Sequence, residues 1–452
     1  MKTENTGIDL NELMRRPPFR CACGKIHRAH LKEALICEGA IGRLASCVKK
    51  YGGTKVYILA DENTFAAAGQ PVLNDLEKEN VPYTLHRFGK ERAEPDEKMI
   101  GSAFAHFDHS CDMILAVGSG VINDVSKIVA KTTGHPLITV ATAPSMDGYA
   151  SSTSSIVRDG LKVSVDSACP TVVIGDLAVL KNAPLQMIRA GLGDMLAKYI
   201  SVCEWRIGRI VTGEYYCEDV AALIRAALKT CVDNAGGILT RDPAAVKAVT
   251  EGLILSGIAA DWAGVSRPVS GVEHYFSHIW DMRALEFGTP FDLHGIQCGV
   301  GTLCALRGYE RLKTLLPDPV AAKAAFAAFD KEAWFSRLRG FLGKAADPMI
   351  GGAKTADRYD PEQHAARLDR ICSHWNEILA VIKEELPPFA AVKTLLTELG
   401  APVNPADMGL PNGEAPMVFK ITKDIRDKYI LSTLAWDLGL LDVIAAVFEE
   451  EN

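Results

Sequence analysis

One pattern constrains this chain more than any other. Between Lys55 and Gly175, short β-branched runs alternate with longer stretches of helical periodicity. That rhythm belongs to a parallel sheet whose crossover connections are helices. Lys55–Ala60 reads as the first strand, ending at Asp61, followed by a helix over Asn63–Asn80 and a strand over Tyr83–Phe88. A helix follows Glu94-Pro95. Then come a strand at Met113–Val117, a helix over Val121–Thr132 and a strand at Leu137–Val140. Ser151–Ser155 is a run of small hydroxyl residues, and Asp159-Gly160 is a hairpin-type turn between apolar runs. Pro170–Gly175 closes the region as a buried strand.

After about Pro184 the pattern turns helical. Leu192–Ile207, Glu218–Asn234, Ala244–Ala263 and Pro319–Gly340 all carry apolar residues at helical spacing. The expected organisation is therefore an α/β domain over residues 1–184 and a helical domain over 185–452. Ala345–Asp360, rich in Gly, Ala and Asp, reads as a loop.

Composition removes several classes of function. A hydrophobic content of 48% and a charged content of 23% are those of a soluble globular protein. A net charge of -7 argues against a nucleic-acid partner, which needs a basic face. Nowhere do about 18 apolar residues run together, so no membrane span is expected. Met1–Phe19 is polar and lacks an apolar core of signal-peptide length. The twelve scattered cysteines then read as reduced thiols and the expected location as the cytoplasm.

Gly118-Ser119-Gly120-Val121-Ile122-Asn123-Asp124 follows a strand and opens a helix. Glycines there allow close approach of a diphosphate to free N–H groups at a helix N-terminus. The match to the dinucleotide fingerprint is incomplete, because Asn123 stands in place of the last glycine and the motif follows the third strand. A plain tight turn fits the same residues. Asp124 and Lys127, in the first turns of that helix, read most simply as a capping or solvated charge pair. Asp61 suits two roles equally, ribose acceptor or helix N-cap.

The helical part holds a second constellation. Asp194 sits in Gly191-Leu192-Gly193-Asp194, His274 and His278 lie one helical turn apart, and His294 follows at Leu293-His294-Gly295. Imidazole and carboxylate together suit zinc, nickel or ferrous iron, and three protein ligands with an open position are what a catalytic metal needs. Cys21, Cys23 and His27 form a further group of three ligands at most, without a second half; it reads as a surface turn.

In this order, Gly118–Lys127, Thr142–Ser151, Gly193–Tyr199, Ser266–His274 and Leu293–Gly295 resemble the glycerol-1-phosphate dehydrogenase family, within the iron-alcohol-dehydrogenase and dehydroquinate-synthase-like superfamily. The resemblance spans about residues 40–305 and returns weakly at Ile425–Tyr429. It departs from the family where Ser119 replaces a glycine and where the chain runs on after 305. Lys198 stands where iron-type alcohol dehydrogenases carry a histidine.

The resemblance implies a nucleotide domain, a helical domain and an active site in the cleft between them. It implies that Asp194, His274 and His294 hold one divalent metal, zinc or nickel ahead of ferrous iron. It further implies that Gly118, Ser119, Gly120, Val121, Ile122, Thr142, Ser145 and Ser151 contact NAD(H) or NADP(H); Asp124 and Asp61 join them as candidates, and the charge of Asp61, which would repel a 2′-phosphate, leans toward NADH. Asp147 and His278 would be catalytic groups touching substrate, with Asp194 beside them. Lys162 and Arg267, each beside a matching segment, are candidates for binding the substrate's phosphate. The implied reaction is reduction of dihydroxyacetone phosphate to sn-glycerol 1-phosphate, by a homo-oligomer, a dimer or larger. Polyol dehydrogenase, dehydroquinate-synthase-like enzyme and non-catalytic nucleotide-binding protein are the competing readings.

Overall fold

The computed structural model describes residues 9–89, 94–411 and 413–449; the start of the polar stretch Met1–Phe19 lies outside them. By its contacts the chain forms two compact units. The first runs to Met195 and takes in Asp219–Val265; the second comprises Leu196–Glu218 and everything from Ser266.

The first unit opens with a short antiparallel pair, β1 (Phe19–Arg20) and β2 (Ile26–His27). Its centre is a six-stranded parallel sheet made of β3 (Glu33–Cys37), β4 (Val56–Asp61), β5 (Tyr83–Phe88), β6 (Met113–Gly118), β7 (Leu137–Ala141) and β10 (Val172–Asp176). The spatial order is β3-β10-β7-β6-β4-β5. Val56–Ala60 and Met113–Gly118 are buried, as expected of strands covered on both faces. A separate hairpin pairs β8 (Thr153–Arg158) with β9 (Leu161–Asp166). Asp159 and Gly160 at its tip both take positive φ, 54° and 73°, the conformation that the two-residue turn requires.

Four sequence expectations need correction. Pro319–Gly340 is two helices, Pro319–Ala327 and Lys331–Leu342, the second capped by Asp330, whose side chain accepts from the Ala333 N–H. Glu33–Cys37 is a sixth strand that the pattern did not reveal; it has only three buried residues and, among the described residues, pairs with β10 alone. Leu192–Ile207 is not one helix. Helix α2 (Leu185–Leu196) ends and α3 (Lys198–Thr212) begins on either side of Ala197, so Asp194 lies in the last turn of a helix rather than at a helix start. Ala345–Asp360 is mostly helical over Ala346–Thr355, because Ala346, Met349, Ile350 and Ala353 bury one face at helical spacing despite the glycines.

Helix α1 (Gly120–Thr133) links β6 to β7. Later in the first unit come α4 (Glu218–Asn234) and α5 (Pro243–Ala263). By length and composition α5 is apolar enough to cross a membrane, with mean hydropathy 1.3, but 72% of that window is buried inside the protein. It behaves as a core helix. Gly257 sits against Ala150, where a Cβ would come within 2.9 Å of the Ala150 Cβ.

The second unit is helical. Helices α6 (Val272–Phe287) and α7 (His294–Leu312) pack against each other closely enough that a Cβ on Gly301 would lie 2.5 Å from the Glu273 carbonyl oxygen.

Candidate active site

The strand order reverses between β4 and β6. The connection from β4 runs outward to β5, while that from β6 runs the other way to β7. Open α/β sheets bind ligands outside the carboxyl ends of strands at such a switch point. Here those ends carry Asp61 and Gly118, so the glycine loop need not follow the first strand to be a nucleotide site.

The loop is built for close packing. A Cβ on Gly118 would lie 2.5 Å from the Ile122 Cβ, and the Thr142 N–H reaches the Gly118 carbonyl at 3.2 Å. Ser119 and Ser145 share a hydrogen bond of 2.6 Å, joining the segments after β6 and β7. Gly120 opens α1, with Val121 partly exposed beside it. Ile122 itself is a core residue, 1% exposed. Asp61 takes the N-cap role: its Oδ1 accepts from the Thr64 N–H at 2.8 Å in a capping box.

Asp124 and Lys127 are not a solvated pair. Asp124 accepts from the Ser155 N–H at 3.3 Å, and burial pushes its carboxyl up to about 6 against the opposing pull of Lys127. Lys127 is fully buried, which lowers its ammonium pKa, with Asp124 opposing. Its Nζ donates to the Gly148 carbonyl and Ser151 Oγ at 3.0 Å and to the Thr153 carbonyl at 2.5 Å. One cation thus ties α1 to the turn carrying Asp147 and Ser151. Lys127→Met should destabilise the protein by about 2 kcal/mol by stranding those acceptors. A urea midpoint equal to wild type would refute the assignment.

Asp147 lies in the same turn. Its Oδ2 accepts from Ser256 Oγ at 2.8 Å, and its N–H donates to Asp194 Oδ2 at 2.9 Å. Asp194 is fully buried. The approach depends on Gly191, one turn earlier, where any Cβ would overlap the Pro144 carbonyl oxygen. Gly191→Ala should therefore lower the unfolding free energy by about 1–3 kcal/mol through overpacking, measured as a shift in the urea midpoint. An unchanged midpoint would show that this contact is looser than described. Lys162 lies on β9, and its charge lowers the pKa of Asp124.

In the second unit, His274 and His294 bring their rings to 5.1 Å at 65°. Glu273 Oε1 sits 2.8 Å from His274 Nδ1 and also accepts from the Gly271 N–H at 2.7 Å. Ser277 Oγ lies 3.0 Å from His294 Nδ1. Both rings thus have Nδ1 engaged by a neighbouring side chain, which fixes their orientation. Cys298, buried and four residues after His294, places its Sγ 3.5 Å from His294 Nε2. His274, His294 and Cys298 offer ligand atoms within 4.8 Å of one another. Sequence reasoning missed Cys298 and the role of Glu273; the signals were the i,i+4 spacing on α7 and the residue next to a ligand candidate. His278, one turn from His274, stacks near His294 at 6.1 Å.

Arg267 is not placed as a phosphate ligand. Arg267 is 5% exposed, and its guanidinium forks onto Glu214 at 2.5 and 2.8 Å, while Nη2 also donates to the carbonyl oxygens of Glu204 and Tyr429. Lys428 donates to the carbonyl oxygens of Ser270 and Ser266. Burial, followed by the charges of Arg267 and Arg426, holds its ammonium pKa well down. The C-terminal segment around Lys428 and Tyr429 therefore holds the stretch leading into α6 and its histidine.

A sequence model described as iron-containing alcohol dehydrogenase matches residues 35–184. A glycerol-1-phosphate dehydrogenase [NAD(P)+] of Halalkalibacterium halodurans is 34% identical over 301 residues, covering 65% of this chain and 75% of that protein. The Bacillus licheniformis protein of the same name is 31% identical over 364 residues, 79% of this chain and 90% of its own length. The chain belongs to the glycerol-1-phosphate dehydrogenase family. The family is one of oxidoreductases, and this chain is one. Its fold is shared by the crystal structure of glycerol dehydrogenase from Schizosaccharomyces pombe, at a TM-score of 0.60 and 18% identity, over 93% of this chain and 91% of that one.

Proposed function

We propose that this chain reduces dihydroxyacetone phosphate to sn-glycerol 1-phosphate, reversibly, with NAD(P)H as hydride donor and one divalent metal. The observation that supports the metal part is the grouping of His274, His294 and Cys298, with each imidazole's Nδ1 held by a neighbouring side chain, Glu273 or Ser277. Asp194, a fully buried carboxylate in the last turn of its helix, is the third proposed ligand. A thiol beside two imidazoles favours zinc among the candidates. When bound, the ion supplies a Lewis acid for the charge that develops on the reacting oxygen.

The chain's own residues do the rest. The N–H groups opening α1 at Gly120 bind the diphosphate, and Ser119, Thr142, Ser145 and Ser151 line the cofactor's path. Asp61 accepts from ribose with the oxygen its cap leaves available, and it repels a 2′-phosphate, favouring NADH. As hydride reaches the carbonyl carbon, His278 delivers the proton to the oxygen and Asp147 orients a substrate hydroxyl. Lys162 remains the candidate for the phosphate. The names of the curated relatives support the phosphorylated substrate.

The test is cofactor oxidation with dihydroxyacetone phosphate against free dihydroxyacetone, on protein stripped of metal and reloaded with zinc or nickel. The expected result is strong preference for the phosphate ester, abolished by chelation. Equal rates on both ketones would move the reading to a polyol dehydrogenase.

A further inference from the structure

Far from the switch point in sequence, the N-terminal hairpin carries a group that the dehydrogenase chemistry does not use. Strands β1 and β2 are two residues each, too short to persist as an isolated pair. Between them runs Cys21-Ala22-Cys23-Gly24-Lys25. The Cys21 N–H donates to the Lys25 carbonyl at 2.9 Å, and the Gly24 N–H donates to the Cys21 carbonyl at 3.0 Å. Gly24 takes φ +90°, which favours glycine. The turn points the Cys23 N–H at Cys21 Sγ, 3.4 Å away.

His27 completes the approach. Its ring is fully buried, stacked on Trp262 at 5.6 Å, and its Nδ1 lies 2.9 Å from the Trp262 carbonyl oxygen. A backbone carbonyl on Nδ1 is the usual arrangement that fixes a metal-ligating histidine and presents Nε2. Here Nε2 lies 3.4 Å from Cys23 Sγ, and the ligand atoms of Cys21, Cys23 and His27 all fall within 4.8 Å of one another. Zinc–sulfur bonds of about 2.3 Å and a zinc–nitrogen bond of about 2.0 Å in a tetrahedron put ligand atoms roughly 3.5–3.8 Å apart, so this cluster needs little adjustment.

Three ligands with no fourth would be an open site on a surface turn. The chain itself brings a fourth. Asp219, in the first turn of α4, places Oδ2 3.2 Å from Cys21 Sγ, and Cys217 stands two residues before it. Cys217 is 1% exposed and is a thiol, not half of a disulfide.

We propose that Cys21, Cys23, His27 and Cys217 bind a structural zinc ion, separate from the catalytic metal, that fastens the N-terminal hairpin to the start of α4. Four protein ligands close the site, so it takes no substrate. Binding requires the three thiols to lose their protons, which leave to solvent as the ion enters. Burial of Cys21 and His27, 7% and 0% exposed, distinguishes the group from the surface turn expected of the sequence.

The test uses the full chain loaded with cobalt(II) in place of zinc, with zinc content measured in parallel on the zinc form. The expected result is a strong thiolate-to-cobalt charge-transfer band, kept in His274→Ala and Asp219→Asn, together with one fewer zinc per chain in Cys23→Ser and Cys217→Ser. Absence of the band in the wild-type chain, or its undiminished survival when Cys23→Ser is made in the His274→Ala, His294→Ala background that removes the catalytic histidines beside Cys298, overturns the proposal. Loss in Asp219→Asn with retention in Cys217→Ser overturns the choice of fourth ligand. Should the cysteine variants fail to fold, X-ray absorption at the zinc edge of the His274→Ala, His294→Ala double variant decides instead. A shell of three sulfurs and one nitrogen supports the site, and a shell of oxygen and nitrogen alone refutes it.

Discussion

His294→Ala lowers kcat by about three to four orders of magnitude, the several kcal/mol that a Lewis acid contributes to a charge-developing transition state. The size of the effect follows from what the side chain is placed to do. His294 opens α7, with Nδ1 beside Ser277 Oγ and Nε2 facing Cys298. Removing the imidazole leaves His274 without its neighbour, and a metal held by fewer ligands dissociates. Glu273→Gln provides the graded comparison. It keeps His274 but weakens the acceptor on its Nδ1, a change worth about 10–100-fold in metal affinity. Added zinc should restore much of the Glu273→Gln activity and none of that of His294→Ala. Should His294→Ala keep even a tenth of the wild-type kcat after chelation and dialysis, the imidazole is structural and the metal reading falls.

Arg267→Ala is the substitution with the largest expected effect on stability, about 3 kcal/mol. It strands the Glu214 carboxylate, whose pKa burial already raises and Arg267 opposes, and two buried carbonyl oxygens. Full loss of a deeply buried pair reaches about 5 kcal/mol, but the Glu214 side chain is 25% exposed and water recovers part of it. Arg267→Lys should rescue only a fraction, since an ammonium cannot fork onto the carboxylate while also reaching the Glu204 and Tyr429 carbonyls. Equilibrium urea denaturation measures both. A midpoint shift worth under 1 kcal/mol for the alanine variant would mean that the guanidinium is dispensable to the fold, and its candidacy for the substrate phosphate would reopen.

The parallel sheet was legible because its strands are apolar runs separated by helices of full length, and the Asp159-Gly160 hairpin because its turn admits few other residues. Glu33–Cys37 escaped notice because five residues carry too little periodicity, and its strand identity comes from pairing with β10. The helix at Ala346–Thr355 was hidden by its glycines, since composition argues for a loop where burial of Met349 and Ile350 decides otherwise. At the candidate site, the histidines showed themselves by clustering along the chain. Cys298 did not, because a cysteine on an apolar helix face is ordinary until a folded neighbour gives it a partner. Lys127 was misread for a related reason: three of its acceptors lie more than twenty residues away.

The chain passes from one unit to the other three times, after Met195, Glu218 and Val265. Such connectivity matters during synthesis. A ribosome that has delivered every strand of the sheet has still not released α5, whose Gly257 packs on Ala150. The first unit therefore stays incomplete until Val265 has emerged, by which time part of the second is already outside. Domains that are continuous in sequence can fold one after the other as they are made. Here the nascent chain must hold an unfinished apolar surface while more than half of its length is translated, and the same interleaving means that no single cut yields either unit whole.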